Sequence, residues 1–201
     1  MLNISSEGTP LAANPLTRAV LEIDGYASTL GWDQPARLFA LVDTAQLRAQ
    51  EPELSRQLGL GEEGDGEGEA PAGSLTPIEQ DEIPADAPLD EFLATIAWPD
   101  VVVGCALTVE RLMLPPSAEG SLPVTLRAEE TEVIEADEMS LAKWVAEHPE
   151  RQDVRMTVGV LRNGSRESAL RLREKDSPTE VLTGSSLVPG LADALAATFE
   201  E

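Results

Sequence analysis

Hydrophobic positions along the chain change period several times, and each change predicts an element. From Asn14, the stretch NPLTRAVLEIDGYASTLG places Leu16, Val20, Ile23, Ala27 and Leu30 on one face at helical spacing. Asn14 suits the N-cap, Pro15 the first helical position and Gly31 the left-handed stop. RLFALV, residues 37–42, is a short apolar run that predicts a strand. Asp43 then caps a helix running to about Leu58, broken at Pro52, whose ring interrupts the hydrogen-bond ladder. Asp86 and Pro88 start a short helix with Phe92, Leu93 and Ile96 as its apolar side, ended by Pro99.

VVVGCALTVERLML, residues 101–114, is the strongest strand signal in the chain. Its near-continuous apolar first half predicts a central strand covered on both faces, stopped by Pro115 and Pro116. Asp137 caps a predicted helix over 138–148 with Met139, Leu141, Trp144 and Val145 inward. Ser186, Pro189 and the series Leu187, Leu191, Leu195, Phe199 predict a C-terminal amphipathic helix. Residues 59–77, GLGEEGDGEGEAPAGSLTP, hold almost no apolar surface to offset the entropy of ordering, and are expected to form a flexible Gly/Glu-rich loop. The whole reads as one α+β domain over 1–201, an antiparallel sheet with helices packed mainly on one face.

Between the last two helices, VRMTVGVLRNGSRESALRLR predicts a hairpin with a determinable register. Val154, Met156, Val158 and Val160 share one strand face, answered by Ser168, Leu170 and Leu172 on the return strand. A two-residue Asn163–Gly164 turn would pair Met156 with Arg171 and bring charge onto the apolar face. A three-residue loop, Arg162-Asn163-Gly164 with Gly164 left-handed, instead pairs Val158 with Ser168, Met156 with Leu170 and Val154 with Leu172. The same register sets Arg155 directly across from Arg171, a destabilising like-charge pair unless an anion neutralises it.

Charge makes this hairpin conspicuous. The chain has 37 acidic and 14 basic residues, a net charge of −23, and 12 of the 14 basic residues are Arg. Residues 151–175 alone hold seven basic and three acidic residues, so the segment is +4 and the remainder −27. An overall field of this sign repels a phosphate backbone and anionic lipid, which argues against nucleic acid and membrane surfaces as partners. Two ways of neutralising the basic face present themselves. The acidic cluster at residues 129–138 can fold over it or solvent can screen it. Alternatively the face docks an acidic partner protein or a second copy of the chain, with Arg155, Arg171 and Arg173 pairing with carboxylates and Leu161 as apolar neighbour.

Composition otherwise bounds the class. Hydrophobic content of 42% and charged content of 25% are globular values, and aromatics at 3% leave a core of Leu, Val and Ala. MLNISSEG lacks the basic start and apolar run of a signal peptide, and no stretch reaches membrane-spanning length, so a cytoplasmic location is expected. The single cysteine, Cys105, lies in the strong strand as an inert core thiol. The single histidine, His148, sits at a helix end, where a cation or cap is favoured. There is no phosphate loop, no nucleophile elbow and no second His or Cys for a metal site, and Gly184–Ser186 reads as the cap of the last helix. Glu110 and Arg111 are expected to pair on the sheet surface. No catalytic residue, metal or cofactor is assigned.

Three stretches carry a resemblance: WPDVVVGCALTVERLMLPP, HPERQDVRMTVGVLRNGSRESALRLR and LVPGLADALAATFE. They resemble a family of uncharacterised actinobacterial proteins of about this length, a likeness that covers most of the chain outside the Gly/Glu loop and transfers no site residues. The order helix, strands, helix, hairpin, helix is similar to the type III secretion chaperone-like fold, whose small acidic members dimerise and bind polypeptides. The resemblance implies a non-enzymatic protein-binding or adaptor role, chaperone-like and homodimeric. The alternative from another class is a small-molecule-binding protein or enzyme with an unrecognised pocket.

Overall fold

The computed structural model describes residues 14–60, 72–80, 83–84, 88–115 and 142–200. The predicted caps operate as expected at the start of the chain. The Asn14 side chain accepts the Leu16 N–H at 2.9 Å and Pro15 opens helix α1 (Pro15–Thr29), while Gly31 beyond its end has φ +84°. Strand β1 (Arg37–Asp43) leads into α2 (Thr44–Gln50), where the Asp43 carboxylate accepts the Gln46 N–H at 2.9 Å. Pro52 breaks the helix as its ring requires, and α3 (Pro52–Gln57) starts afresh on it.

Strand β2 (Leu75–Glu79) takes the last residues of the expected 59–77 loop; residues 61–71 of that loop lie outside the described residues. LTPIE is short and interrupted by Pro77, so it has no strand signature of its own. It persists because it is an edge strand, where proline is tolerated, held by antiparallel pairing from Phe39↔Glu79 to Asp43↔Leu75. Helix α4 (Leu89–Leu93), strand β3 (Val102–Met113), a helical segment α5 (142–147), strands β4 (Gln152–Leu161), β5 (Arg166–Leu172) and β6 (Leu182–Gly184), and helix α6 (Pro189–Ala197) follow among the described residues. Asp137, Met139 and Leu141 of the helix expected over 138–148, and the acidic cluster 129–138, lie outside the described residues.

The six strands form one antiparallel sheet in the order β2-β1-β3-β4-β5-β6, in an α+β domain. The hairpin has the predicted register, with Val158 opposite Ser168, Met156 opposite Leu170 and Val154 opposite Leu172. Its loop closes through Leu161 N–H to the Ser165 carbonyl at 2.9 Å, with Gly164 at φ +88°. Arg162 turns back from this loop and donates to the carbonyls of Val102 at 2.8 Å and Trp98 at 3.1 Å, while its guanidinium lies 4.7 Å from the Phe199 ring centre.

The alternation of side chains divides the core between the two faces of the sheet. Leu38, Cys105, Leu107, Val109, Val154, Met156, Val158 and Val160 point one way, toward Leu93 of α4 and Ala192 and Leu195 of α6. Ala40, Val42 and Val102 meet Leu47 of α2 in a smaller cluster. On the opposite face α1 packs Leu16, Ala19, Val20 and Ile23 onto Phe39, Leu41, Ala106 and Ala169. Of the described helices, α2, α4 and α6 thus pack on one side, and α1, the longest of them, covers the other. β3 is buried from both sides up to Val109 and emerges beyond it, as its apolar first half predicts.

Gly159 sets how closely α1 approaches. A Cβ there would lie 2.8 Å from Val20 Cγ2 and 3.0 Å from Leu16 Cδ1, inside van der Waals contact. Burial of Leu16, Val20 and Ile23 is worth roughly 1.5–3 kcal/mol each. That attraction is large enough to carry a charged residue, Asp24, into the interface on the same helix face.

Candidate functional site

The basic face of the hairpin lies beneath the C-terminal half of α1. Arg155 is 1% exposed and Arg171 3% exposed, so neither forms part of an open contact surface. The expectation that these two arginines meet a partner directly is corrected by their burial. Solvation does not neutralise them; carboxylates of the same chain do. Arg171 Nη2 and Nε donate to Asp24 Oδ2 at 2.6 and 3.1 Å, and its Nη1 donates to Asp176 Oδ1 at 3.0 Å. Arg155 Nη2 donates to Glu110 Oε1 at 3.0 Å and to the Gly31 carbonyl. These are charge-assisted bonds from planar forks, the geometry for which Arg surpasses Lys.

Glu110 takes this role because it shares a sheet face with Arg155, its cross-strand neighbour in β3–β4. The expected Glu110–Arg111 pair does not form, since consecutive strand residues point to opposite faces. Arg111 instead donates to the Glu110 carbonyl at 3.1 Å.

The remaining predicted residues part company. Arg173 stays accessible, with its side chain 40% exposed, and grips Asp33 through two bonds of 2.9 and 2.8 Å. Leu161 is half-buried at the hairpin end of β4, packed against the α1 core cluster. Six residues of extended chain, about 20 Å, separate it from Arg155, so it is no neighbour of the arginines.

Residues 31–36, joining α1 to β1, cross over the cluster as a strap. The Trp32 ring centre lies 4.4 Å from Arg155 Cζ and 5.6 Å from Arg173 Cζ, and its indole Nε1–H donates to Asp176 Oδ2 at 2.9 Å. The Asp33 N–H donates to Glu110 Oε2 at 2.7 Å. The electrostatics follow from these contacts. The Arg173 guanidinium holds the Asp33 carboxyl below its ordinary range. The Trp32 indole N–H, and after it Arg171, do the same for Asp176. The hydrogen bonds that Arg171 gives to Asp24, and after it to Asp176, raise its guanidinium above the usual range.

The carboxylates were not legible in an acidic chain where any Asp or Glu is a candidate. Asp24 alone left a trace: it falls within the inward stripe of α1, between Val20 and Ala27.

The other candidate residues lie elsewhere. Cys105 is fully buried, its thiol pushed up to about 12 by loss of solvent, which makes it inert as a nucleophile at neutral pH. His148 Nδ1 accepts the Glu150 N–H at 3.1 Å just beyond α5, with the Trp144 ring 4.9 Å away. Ser186 does not cap α6; its N-cap is Val188, without a side-chain bond, and Leu182–Gly184 is strand. A shallow hollow with room for about one water molecule, partly open to solvent, lies between the strap and the sheet with Gln34, Arg37, Thr108 and Glu110 on its walls. Among the described residues no group of His, Cys, Asp and Glu is arranged to hold a metal, and no helix is long and apolar enough to cross a membrane.

Beyond the cluster, β3 and β4 project as a two-stranded arm. Their pairing continues to Met113↔Gln152, whereas β1 stops opposite Thr108 and β5 opposite Val154. Leu112 and Met113 are 40% and 39% exposed on this arm. Leu112 shares its face with Glu110, on which the strap rests.

No curated protein and no solved structure gives a match to this chain. A family model does, over residues 16–200, a span that runs from the first turn of α1 to the end of α6 and takes in every strand of the sheet, and by that match the chain belongs to the PPA1309-like protein family.

Proposed function

We propose that this protein is a non-enzymatic protein-binding or adaptor protein whose contact surface lies where the strap meets the projecting arm. One observation carries the reading: an accessible Arg173 and the Trp32 ring share one end of the sheet with exposed Leu112. Arg and Trp are side chains that concentrate binding energy at protein interfaces, and exposed Leu112 adds apolar area beside them. The partner is an acidic segment of another protein or of a second copy of the chain. The reading includes a cytoplasmic, actinobacterial setting, a homodimer and a chaperone-like form of binding. These rest on the resemblances of the sequence, its net charge and its Arg-over-Lys bias.

The test compares wild type with a Leu112→Asp/Arg173→Glu variant in affinity capture from host lysate, with oligomeric state measured by light scattering. Both substituted side chains are exposed, so the fold survives the change, as it would not after substitution of Arg155 or Arg171. A partner or dimer present in wild type and lost from the folded variant supports the reading. Identical partners and identical mass for both proteins overturn it.

A further inference from the structure

We infer that the strap, residues 31–36, is an internal stand-in for the partner: it occupies the arginine site of the free protein, and the partner is an acidic segment with an aromatic residue beside a carboxylate, as in Trp32–Asp33. This rests on the protein-binding reading above and specifies the chemistry its surface would select.

Four features of the strap fit a displaceable contact. Ala36 at its far end packs against the core, but over Gly31–Asp33 its attachments to the sheet and the 173–176 turn are polar: Arg155 to the Gly31 carbonyl, Asp33 N–H to Glu110, Trp32 Nε1–H to Asp176, and the two hydrogen bonds from Arg173 to Asp33. Trp32 belongs to none of the three core clusters of the described residues, and its ring lies against the two arginines. Asp33 has φ +65°, the one non-glycine residue with positive φ among the described residues. That conformation is uncommon outside glycine, though Asp and Asn adopt it most readily, and residues held so concentrate at sites that bind or switch. Finally, Arg155 Nη1 is buried without a hydrogen-bond partner, so the strap does not use every donor the site offers.

The Arg173–Asp33 contact also has the geometry of an intermolecular recognition pair. It is bidentate and rim-exposed, with the Asp33 side chain 74% accessible. A carboxylate arriving from solution can therefore reach Arg173 and take over the same two donors before the Trp32 ring leaves Arg155. While the strap sits there, the apparent affinity for an external ligand is reduced by the fraction of time the site is free.

The experiment uses the strap sequence itself in trans. A labelled peptide LGWDQPA, residues 30–36, is titrated by anisotropy against the full chain, as wild type and as Trp32→Ala/Asp33→Ala. If the strap is a stand-in, vacating the site tightens peptide binding by about tenfold or more, and adding Arg173→Gln to the vacated protein removes the gain. An Asp33→Asn protein, which keeps the left-handed backbone and Trp32 but loses the charge, should show a smaller gain in the same direction. It maintains the test if the double variant folds poorly. Equal binding to all proteins, or a gain that persists with Arg173→Gln, overturns the inference. Partner capture lost with Leu112→Asp/Arg173→Glu but unchanged by vacating the strap also overturns it, while leaving the protein-binding reading in place.

Discussion

Arg155 and Arg171 face each other directly across β4 and β5, and both are buried. Two like charges in that position repel unless each is neutralised locally. Here each guanidinium has a carboxylate of its own, Glu110 from β3 on one side and Asp24 from α1 on the other, while Asp176 bonds Arg171 and lies close enough for Arg155 to act on it. The repulsive pair has become the centre of a network that joins α1, the strap, three strands and the turn after β5.

The Asp24–Arg171 pair should respond asymmetrically to substitution. Asp24→Ala leaves a buried guanidinium with one remaining carboxylate and is expected to cost about 3–5 kcal/mol. Asp24→Leu/Arg171→Met replaces both partners by apolar groups and should recover much of that loss. Urea unfolding of the singles and the double gives the coupling energy. A double variant no more stable than Asp24→Ala would show that the pair is not the unit of stabilisation.

Gly159→Ala should destabilise by about 1–3 kcal/mol, because the added methyl meets Val20 and Leu16 and forces α1 off the sheet. Since α1 also buries the arginines, the Trp32 emission should shift along with the urea midpoint. An unchanged midpoint would mean that α1 adjusts without cost.

Acid should release the strap before it unfolds the core. Asp33 and Asp176 both have carboxyls held below their ordinary value of 3.8, by Arg173 and by the Trp32 indole with Arg171. A carboxyl depressed in the folded state stabilises fully above its unfolded value, and that contribution is lost as pH falls through the folded one. The Trp32 Nε1–H resonance should therefore hold steady from roughly pH 7 to 5 and move only below about 4. Arg173→Gln removes the Asp33 share and should raise the pH of the transition.

Cys105 behaves in the opposite sense. Its thiol is raised from 9.0 to about 12, so the buried neutral form stabilises the fold fully below the unfolded value and loses that contribution as pH climbs toward the folded one. A thiol reagent such as Ellman's should fail to label the native protein near pH 8 and label it stoichiometrically in denaturant. Rapid native labelling would contradict the burial of this strand.

Arg162→Lys should cost about 1–2 kcal/mol, since an ammonium cannot reach the Val102 and Trp98 carbonyls together while lying over Phe199. Thermal unfolding of Arg162→Lys beside Phe199→Leu separates the hydrogen bonds from the ring contact.

Local patterning determined much of this fold. Asn14, Pro15 and Asp43 announced helix starts because capping depends on the backbone within a turn of the residue. The hairpin register followed from strand alternation together with Gly164, because only an odd loop kept charge off the apolar face. The inert thiol followed from its apolar strand. What could not be read locally was everything that depends on which element lies above which. LTPIE became a strand only by pairing with β1, and Glu110 chose Arg155 across the sheet over its neighbour Arg111. The direction of a buried charge toward its partner is a property of the assembled layers. The sequence by itself therefore placed Arg155 opposite Arg171, and only the tertiary structure, by laying α1 and Asp24 over that face, turned an expected contact surface into a buried network with Arg173 left at its rim.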